Sequence, residues 1–138
     1  MVGIVIVTHG EMAEGLLDAA RSVAGHAGGC AAVCLRNGDS VDGLGPRIAA
    51  AIDSVKDRDG VLVLVDMWGA SPFNASARLA LKAQHPIDVI AGVNLPMVVE
   101  LLVQRAAKGF EELVAMALQA GTQGVRALSQ AVADGQGC

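Results

Sequence analysis

The segment Val61-Leu62-Val63-Leu64-Val65-Asp66 sets five apolar residues, three of them β-branched, directly before a carboxylate. Such a run is too short for a helix and lacks the polar alternation of a strand with one wet face, so it reads as a strand covered on both faces of a parallel sheet. Asp66 then stands at the carboxyl edge of that sheet. Similar runs occur at Val2–Val7, Ala31–Leu35 and Ile87–Ile90, and they too read as interior parallel strands.

The intervening stretches carry helical spacing: Met12–Val23 with Leu16, Leu17 and Ala20 on one face, Leu44–Val55 with Ile48 and Ile52, and Pro72–Leu81. Beyond the fourth run, Pro96 opens a helix through Gln104, and Phe110–Leu128 repeats apolar residues at Phe110, Leu113, Val114, Ala117 and Leu118. This alternation predicts an α/β fold: a single-domain, three-layer, doubly wound and mainly parallel sheet with right-handed crossovers and helices on both faces. In that architecture ligands sit outside the carboxyl ends of the strands.

A length of 138 residues suits one domain, placed at residues 1–133, with 134–138 expected as a flexible tail. With 53% apolar residues, the core needs no disulfide or structural metal, and Cys30, Cys34 and Cys138 read as reduced thiols. Ten basic residues against fourteen acidic ones give a net charge of -4, and the basic residues are scattered. With only Trp68, Phe73 and Phe110 as aromatics, the chain also lacks stacking platforms, so nucleic acid is excluded as a partner. The longest apolar stretch falls far short of the roughly 18 residues of a spanning helix, and no charged leader precedes Val2, so a soluble cytoplasmic protein is expected.

The first strand ends in Thr8-His9-Gly10, which carries an imidazole to the sheet edge just before a helix whose free N–H groups favour an anion. If the first and third strands are neighbours, Asp66 reaches His9. A carboxylate accepting one ring N–H fixes the tautomer and turns the other nitrogen's lone pair outward, as nucleophilic attack on phosphorus requires. His9 is therefore the candidate nucleophile and Asp66 its orienter. In Met67-Trp68-Gly69-Ala70-Ser71-Pro72-Phe73-Asn74, Ser71 has N-cap chemistry and Pro72 suits the first helical position. A second helix N-terminus thus points at the same edge, making Ser71, together with Gly10 at the first terminus, a candidate phosphate-binding position. Trp68 reads equally as an interface anchor or as core, and the Ala91–Pro96 loop as a wall of the site or a docking surface. His26 and His85 lack companions at metal-ligand spacing and are expected in solvent, and no metal site is assigned.

The strings Ile4-Val5-Ile6-Val7-Thr8-His9-Gly10, Val63 through Asn74, and Val89-Ile90-Ala91-Gly92-Val93-Asn94-Leu95-Pro96-Met97 closely resemble the enzyme IIA (EIIA) domain of the mannose family of the bacterial sugar phosphotransferase system (PTS). Asn37-Gly38-Asp39 and Phe110-Glu111-Glu112-Leu113 extend the resemblance over nearly the whole chain. It implies a phosphotransferase, without a cofactor, that takes a phosphoryl group from the phosphohistidine of HPr onto His9 and passes it to a IIB protein for sugar uptake. Asp66 would orient His9 and Ser71 would bind the phosphoryl group. The resemblance also implies a homodimer, a further antiparallel strand contributed across it, and membrane contact only through a IIC/IID complex.

Met67 and Ala70 depart from the commoner small polar residue and glycine, and no IIB domain follows, so the acceptor is expected to be a separate polypeptide. The alternative is a stand-alone regulatory IIA whose His9 phosphorylation signals to other proteins. Histidine phosphatases are disfavoured because Thr8 stands where their arginine is required and no cationic clamp is present. The phosphoryl-transfer subunit of dihydroxyacetone kinase resembles this fold, but the Asp66–Asn74 string fits the mannose family better.

Overall fold

Strand β1 (Gly3–His9) lies at the heart of the sheet, flanked by β2 (Cys30–Leu35) and β3 (Val61–Val65), with β4 (Ile87–Ala91) beyond β3, all parallel. The computed structural model describes residues 1–135; Cys138 and most of the expected tail lie outside the described residues. The order β2-β1-β3-β4 follows from winding the chain first to one side of β1 and then to the other.

Helices α1 (Met12–Ala24), α4 (Leu95–Gln104) and α5 (Phe110–Gln123) cover one face, while α2 (Leu44–Val55) and α3 (Ser71–Lys82) cover the other. The two-residue period of the strands divides the core accordingly. Ile4, Ile6, Leu62 and Leu64 pack towards the first face, and Val5, Val7, Val61, Val63 and Val65 towards the second. Among the described residues, no helix is long and apolar enough to cross a membrane.

Two expectations change. Only β1 and β3 are interior; β2 and β4 are edges, and Asp88 of β4 is exposed because only one neighbour flanks that strand. Among the described residues the sheet has four strands and no antiparallel one. The helix expected through Leu128 stops at Gln123, and a short helix α6 (Leu128–Ala133) follows, with none of its residues buried. The break has a packing cause: Gly121 and Gly124 lie so close to α4 that an added Cβ would come within 2.7 Å of the Met97 side chain and 2.6 Å of Pro96 respectively.

Gly60 is demanded twice at the entrance to β3. Its φ of +103° favours glycine, and an added Cβ would lie 2.6 Å from the Pro86 carbonyl oxygen, which is itself held by the Val61 amide at 2.9 Å. Gly60→Ala is expected to cost about 1–3 kcal/mol of stability in a denaturant titration, since backbone cannot yield as a side chain can.

At the same end of the sheet Arg105, just past α4, is 2% exposed and donates to the carbonyl oxygens of Val2 at 3.4 Å, Gly29 at 3.3 Å and Gly28. Its Nε is enclosed without a partner. One guanidinium thus ties the start of β1 to the loop before β2. Arg105→Met is expected to lower stability by roughly 3 kcal/mol, because the carbonyls lose charged donors that bulk water cannot readily replace.

Candidate functional site

The winding direction reverses at β1, so the chain leaves β1 for the α1 face and leaves β3 for the α3 face. A crevice at the carboxyl ends of these neighbouring strands follows. Val7 pairs with Val65, which puts His9, the last residue of β1, beside Asp66, the first past β3.

Asp66 Oδ2 accepts two bonds from the same residue: the His9 backbone N–H at 2.9 Å and ring Nδ1 at 2.8 Å. Its Oδ1 accepts the Met67 amide at 2.9 Å. Burial pushes the Asp66 carboxyl up, but these bonds from His9 and Met67 together outweigh it and hold the carboxyl below its ordinary value. Asp66 is therefore an anion at neutral pH and only accepts, so Nδ1 carries a proton, and in the neutral form of the ring the lone pair is on Nε2. The His9 side chain is 47% exposed and that of Asp66 12%, which leaves the imidazole reachable while its anchor is enclosed.

The sign of the pH effect follows. A carboxylate with a depressed folded pKa stabilises the fold above its unfolded value of about 3.9, and that contribution disappears as pH falls through the lower folded value. Melting temperatures recorded from neutral pH into acid should therefore fall below about pH 4, and Asp66→Asn should flatten that acid limb.

Gly10 takes φ +59°, and its amide donates to the Leu35 carbonyl at 2.8 Å, so it shapes the turn with its N–H already engaged. Ser71 is the first residue of α3 rather than its cap; Ala70 occupies that position, and the Ser71 hydroxyl caps nothing. The shift by one residue arises because Ala70 remains extended, with ψ 175°, while Asn74 ties the loop by donating its backbone N–H to Ala70 and its Nδ2 to Gly69. Ser71 and Asn74 also border a cleft of about 510 Å³ between α2 and α3, whose lining includes Asp42 and Arg78 but neither His9 nor Asp66.

Around the imidazole, Met67 is 61% and Trp68 75% exposed, and the Trp68 ring rests on Phe73 with centroids 4.2 Å apart. Trp68 is thus a surface side chain. On the β2 side, Arg36 draws Glu14 to 3.1 Å and Glu11 to 3.6 Å. In the Ala91–Pro96 loop, Asn94 caps α4: its Oδ1 accepts the Met97 amide at 3.1 Å while Nδ2 donates to the Gly121 carbonyl at 2.8 Å.

His26 is exposed as expected. His85 is half-buried, with Nε2 enclosed and unpartnered, because the adjoining Pro86 carbonyl is drawn into the sheet by Val61. Cys30 and Cys34 are free thiols. Thr8 is a residue to which the sequence reading gave no structural role. It is fully buried, and its Oγ1 accepts the Ala13 amide of α1 at 2.7 Å. The available signal was a lone hydroxyl closing an otherwise apolar strand just before a helix.

Over residues 3–118 the chain matches the family model EIIA-man, described as PTS system fructose IIA component. It is 41% identical over 128 residues to the PTS system mannose-specific EIIAB component of Escherichia coli strain K12, covering 92% of this chain and 39% of that relative. The PTS system fructose-specific EIIA component of Bacillus subtilis is 29% identical over 114 residues, covering 83% of this chain and 77% of the relative. Among solved structures, a phosphotransferase system component EIIA from Streptococcus agalactiae superposes with a TM-score of 0.86 at 27% identity, covering 94% of this chain and 99% of that one. The mannose/sorbose specific IIA subunit from Enterococcus faecalis gives 0.82 at 27% identity, covering 92% and 94%.

Proposed function

This chain belongs to the EIIA-man family of phosphotransferase-system IIA components, and from that premise we propose that it is a phosphoryl carrier, taking the group from phospho-HPr onto His9 and delivering it to a IIB protein for sugar uptake. The observation that carries this reading is the bond between His9 Nδ1 and Asp66 Oδ2 at 2.8 Å, which in the neutral ring puts the lone pair on Nε2.

In the transfer step, His9 Nε2 forms a bond to phosphorus while the P–N bond of the donor phosphohistidine breaks, its electron pair returning to the donor ring. The His9 ring becomes cationic as it gains the phosphoryl group, and the Asp66 carboxylate, already on the Nδ1 proton, stabilises that charge without moving. Passage to IIB reverses the roles, with His9 as leaving group. Ser71 serves as a phosphoryl ligand, supported by a hydroxyl that caps nothing at the start of α3. Gly10 serves through its left-handed turn.

The exposed Met67 and Trp68 form an apolar rim suited to partner docking. The proposed IIA domain spans residues 1–133 and works in the cytoplasm, meeting the membrane only through a IIC/IID complex. A homodimer is supported by the open edge of β4 and by Val125, Leu128 and Val132, which are 78%, 66% and 64% exposed around a helix that buries none of its residues.

Incubation with phospho-HPr, followed by mass spectrometry at alkaline pH, should locate one phosphoryl group on the peptide containing His9. A group found on Ser71 or on another histidine would overturn the assignment.

A further inference from the structure

Each outer strand of the sheet presents a row of backbone groups to no neighbouring strand, and in both rows a charged side chain occupies one of them. Backbone direction alternates along a strand, so a single ladder bond fixes which residues face outward. The Ile4 amide meets the Gly29 carbonyl and the Gly10 amide that of Leu35, so Cys30, Ala32 and Cys34 turn their backbone groups out of the sheet at β2. There Arg47 of α2 donates to the outward Cys34 carbonyl at 2.8 Å, with its other terminal nitrogen 3.5 Å from Asp39. At β4 the Val61 amide meets the Pro86 carbonyl and the Gly92 amide that of Asp66. Ile87, Val89 and Ala91 therefore face outward, and the middle one, Val89, gives its N–H to Asp88 Oδ1 at 2.8 Å. Among the described residues this is the only bond that the Asp88 carboxylate makes.

The two guards differ in how firmly they are held. Arg47 reaches its carbonyl from a packed helix and is braced by an ion pair, whereas Asp88 is an exposed residue holding only its own neighbour. We propose that Asp88 is the gate of the β4 edge: its carboxylate occupies the central outward amide and must release it before an extended segment of a second copy of this chain can pair there. The inference rests on the homodimer reading and goes beyond it by naming the contact that controls association. A second copy fits as occupant because Val125, Leu128 and Val132 stand exposed around a helix with no buried residue, apolar surface that self-association would cover. The incoming segment offers a carbonyl oxygen to the Val89 N–H, and the released carboxylate turns to water, where its charge is well solvated. The exchange swaps one acceptor for another, so only a segment that also bonds to Ile87 and Ala91 gains by it. A chance contact offering a single carbonyl does not open the edge.

The test compares the native chain, Asp88→Ala and Asp88→Asn by sedimentation velocity over a series of concentrations, each shown by circular dichroism to be folded. Asp88→Ala removes the competing acceptor, and its dimer dissociation constant should fall roughly 10-fold below the native one, the worth of one hydrogen bond. Asp88→Asn keeps an Oδ1 that can accept and should stay within about 3-fold of native. Amide hydrogen exchange read by NMR locates the effect: at Val89 exchange should slow as the concentration of Asp88→Ala rises through its dissociation constant. An Asp88→Ala chain that associates no more tightly than native, asparagine matching alanine, or Val89 exchange that ignores association would each overturn the gate while leaving a homodimer formed elsewhere on the surface. Native and variant chains that all remain monomeric would overturn the homodimer reading and the gate with it, and leave the carrier reading untouched.

Discussion

Replacing His9 by alanine is expected to abolish phosphoryl uptake from phospho-HPr, with no acid-labile phosphoryl group retained above background. The reason is chemical: formation of a phosphoramidate needs an unprotonated nitrogen, and Nε2 is the lone pair that the Asp66 bond leaves open at this edge. His26 is exposed but lies in the loop before β2, and the Nε2 of His85 is enclosed, so neither can take over. The fold should survive, because the His9 side chain is 47% exposed and Asp66 keeps the amides of residue 9 and Met67. Melting temperature and circular dichroism should therefore stay close to native while uptake vanishes. Appreciable uptake by the variant would place the acceptor elsewhere.

Asp66→Asn should slow transfer by roughly two orders of magnitude, as measured by rapid quench with phospho-HPr in excess. Both orientations of the new amide fail. With its oxygen on the His9 side, its NH2 group confronts the Met67 N–H, donor against donor. With its NH2 on the His9 side, it confronts the His9 backbone N–H and obliges ring Nδ1 to accept, which moves the ring proton to Nε2 and removes the nucleophile. In neither case does a negative charge face the imidazolium that phosphorylation creates. The unmatched donor should also lower stability by about 1–3 kcal/mol. Native transfer rates in a folded Asp66→Asn chain would reduce Asp66 to a structural role.

What the sequence disclosed depended on how local the determining physics was. The helix Leu44–Val55 and the strand Val61–Val65 were legible to the residue, since apolar spacing alone defines them. The meeting of His9 and Asp66 was legible only conditionally: it required β1 and β3 to be neighbours, a matter of strand order that no local pattern encodes. The position of Ser71 was misread by one residue because Ala70, a poor capping residue, holds the extended cap conformation through the bonds that Asn74 makes behind it. The helix break at Gly124 and the burial of His85 were invisible for a shared reason. Each is imposed by a distant segment, Pro96 in one case and Val61 in the other, rather than by its own neighbours. Arg105 likewise looked like an ordinary helix-end cation, yet its partners are more than seventy residues away in sequence.

The pairing of Val7 with Val65 gives the chemistry an unusual dependence. A slip of one residue between these strands would move Asp66 by about 3.3 Å along the strand and turn its side chain to the opposite face. The carboxylate would then lose both the backbone and the ring bonds of His9. Under the proposed carrier role, phosphorylation of His9 would be a covalent record of strand alignment: only molecules whose central strands have locked in the right phase would acquire the mark, so the yield of phosphorylated chain after refolding would report the correctly assembled sheets.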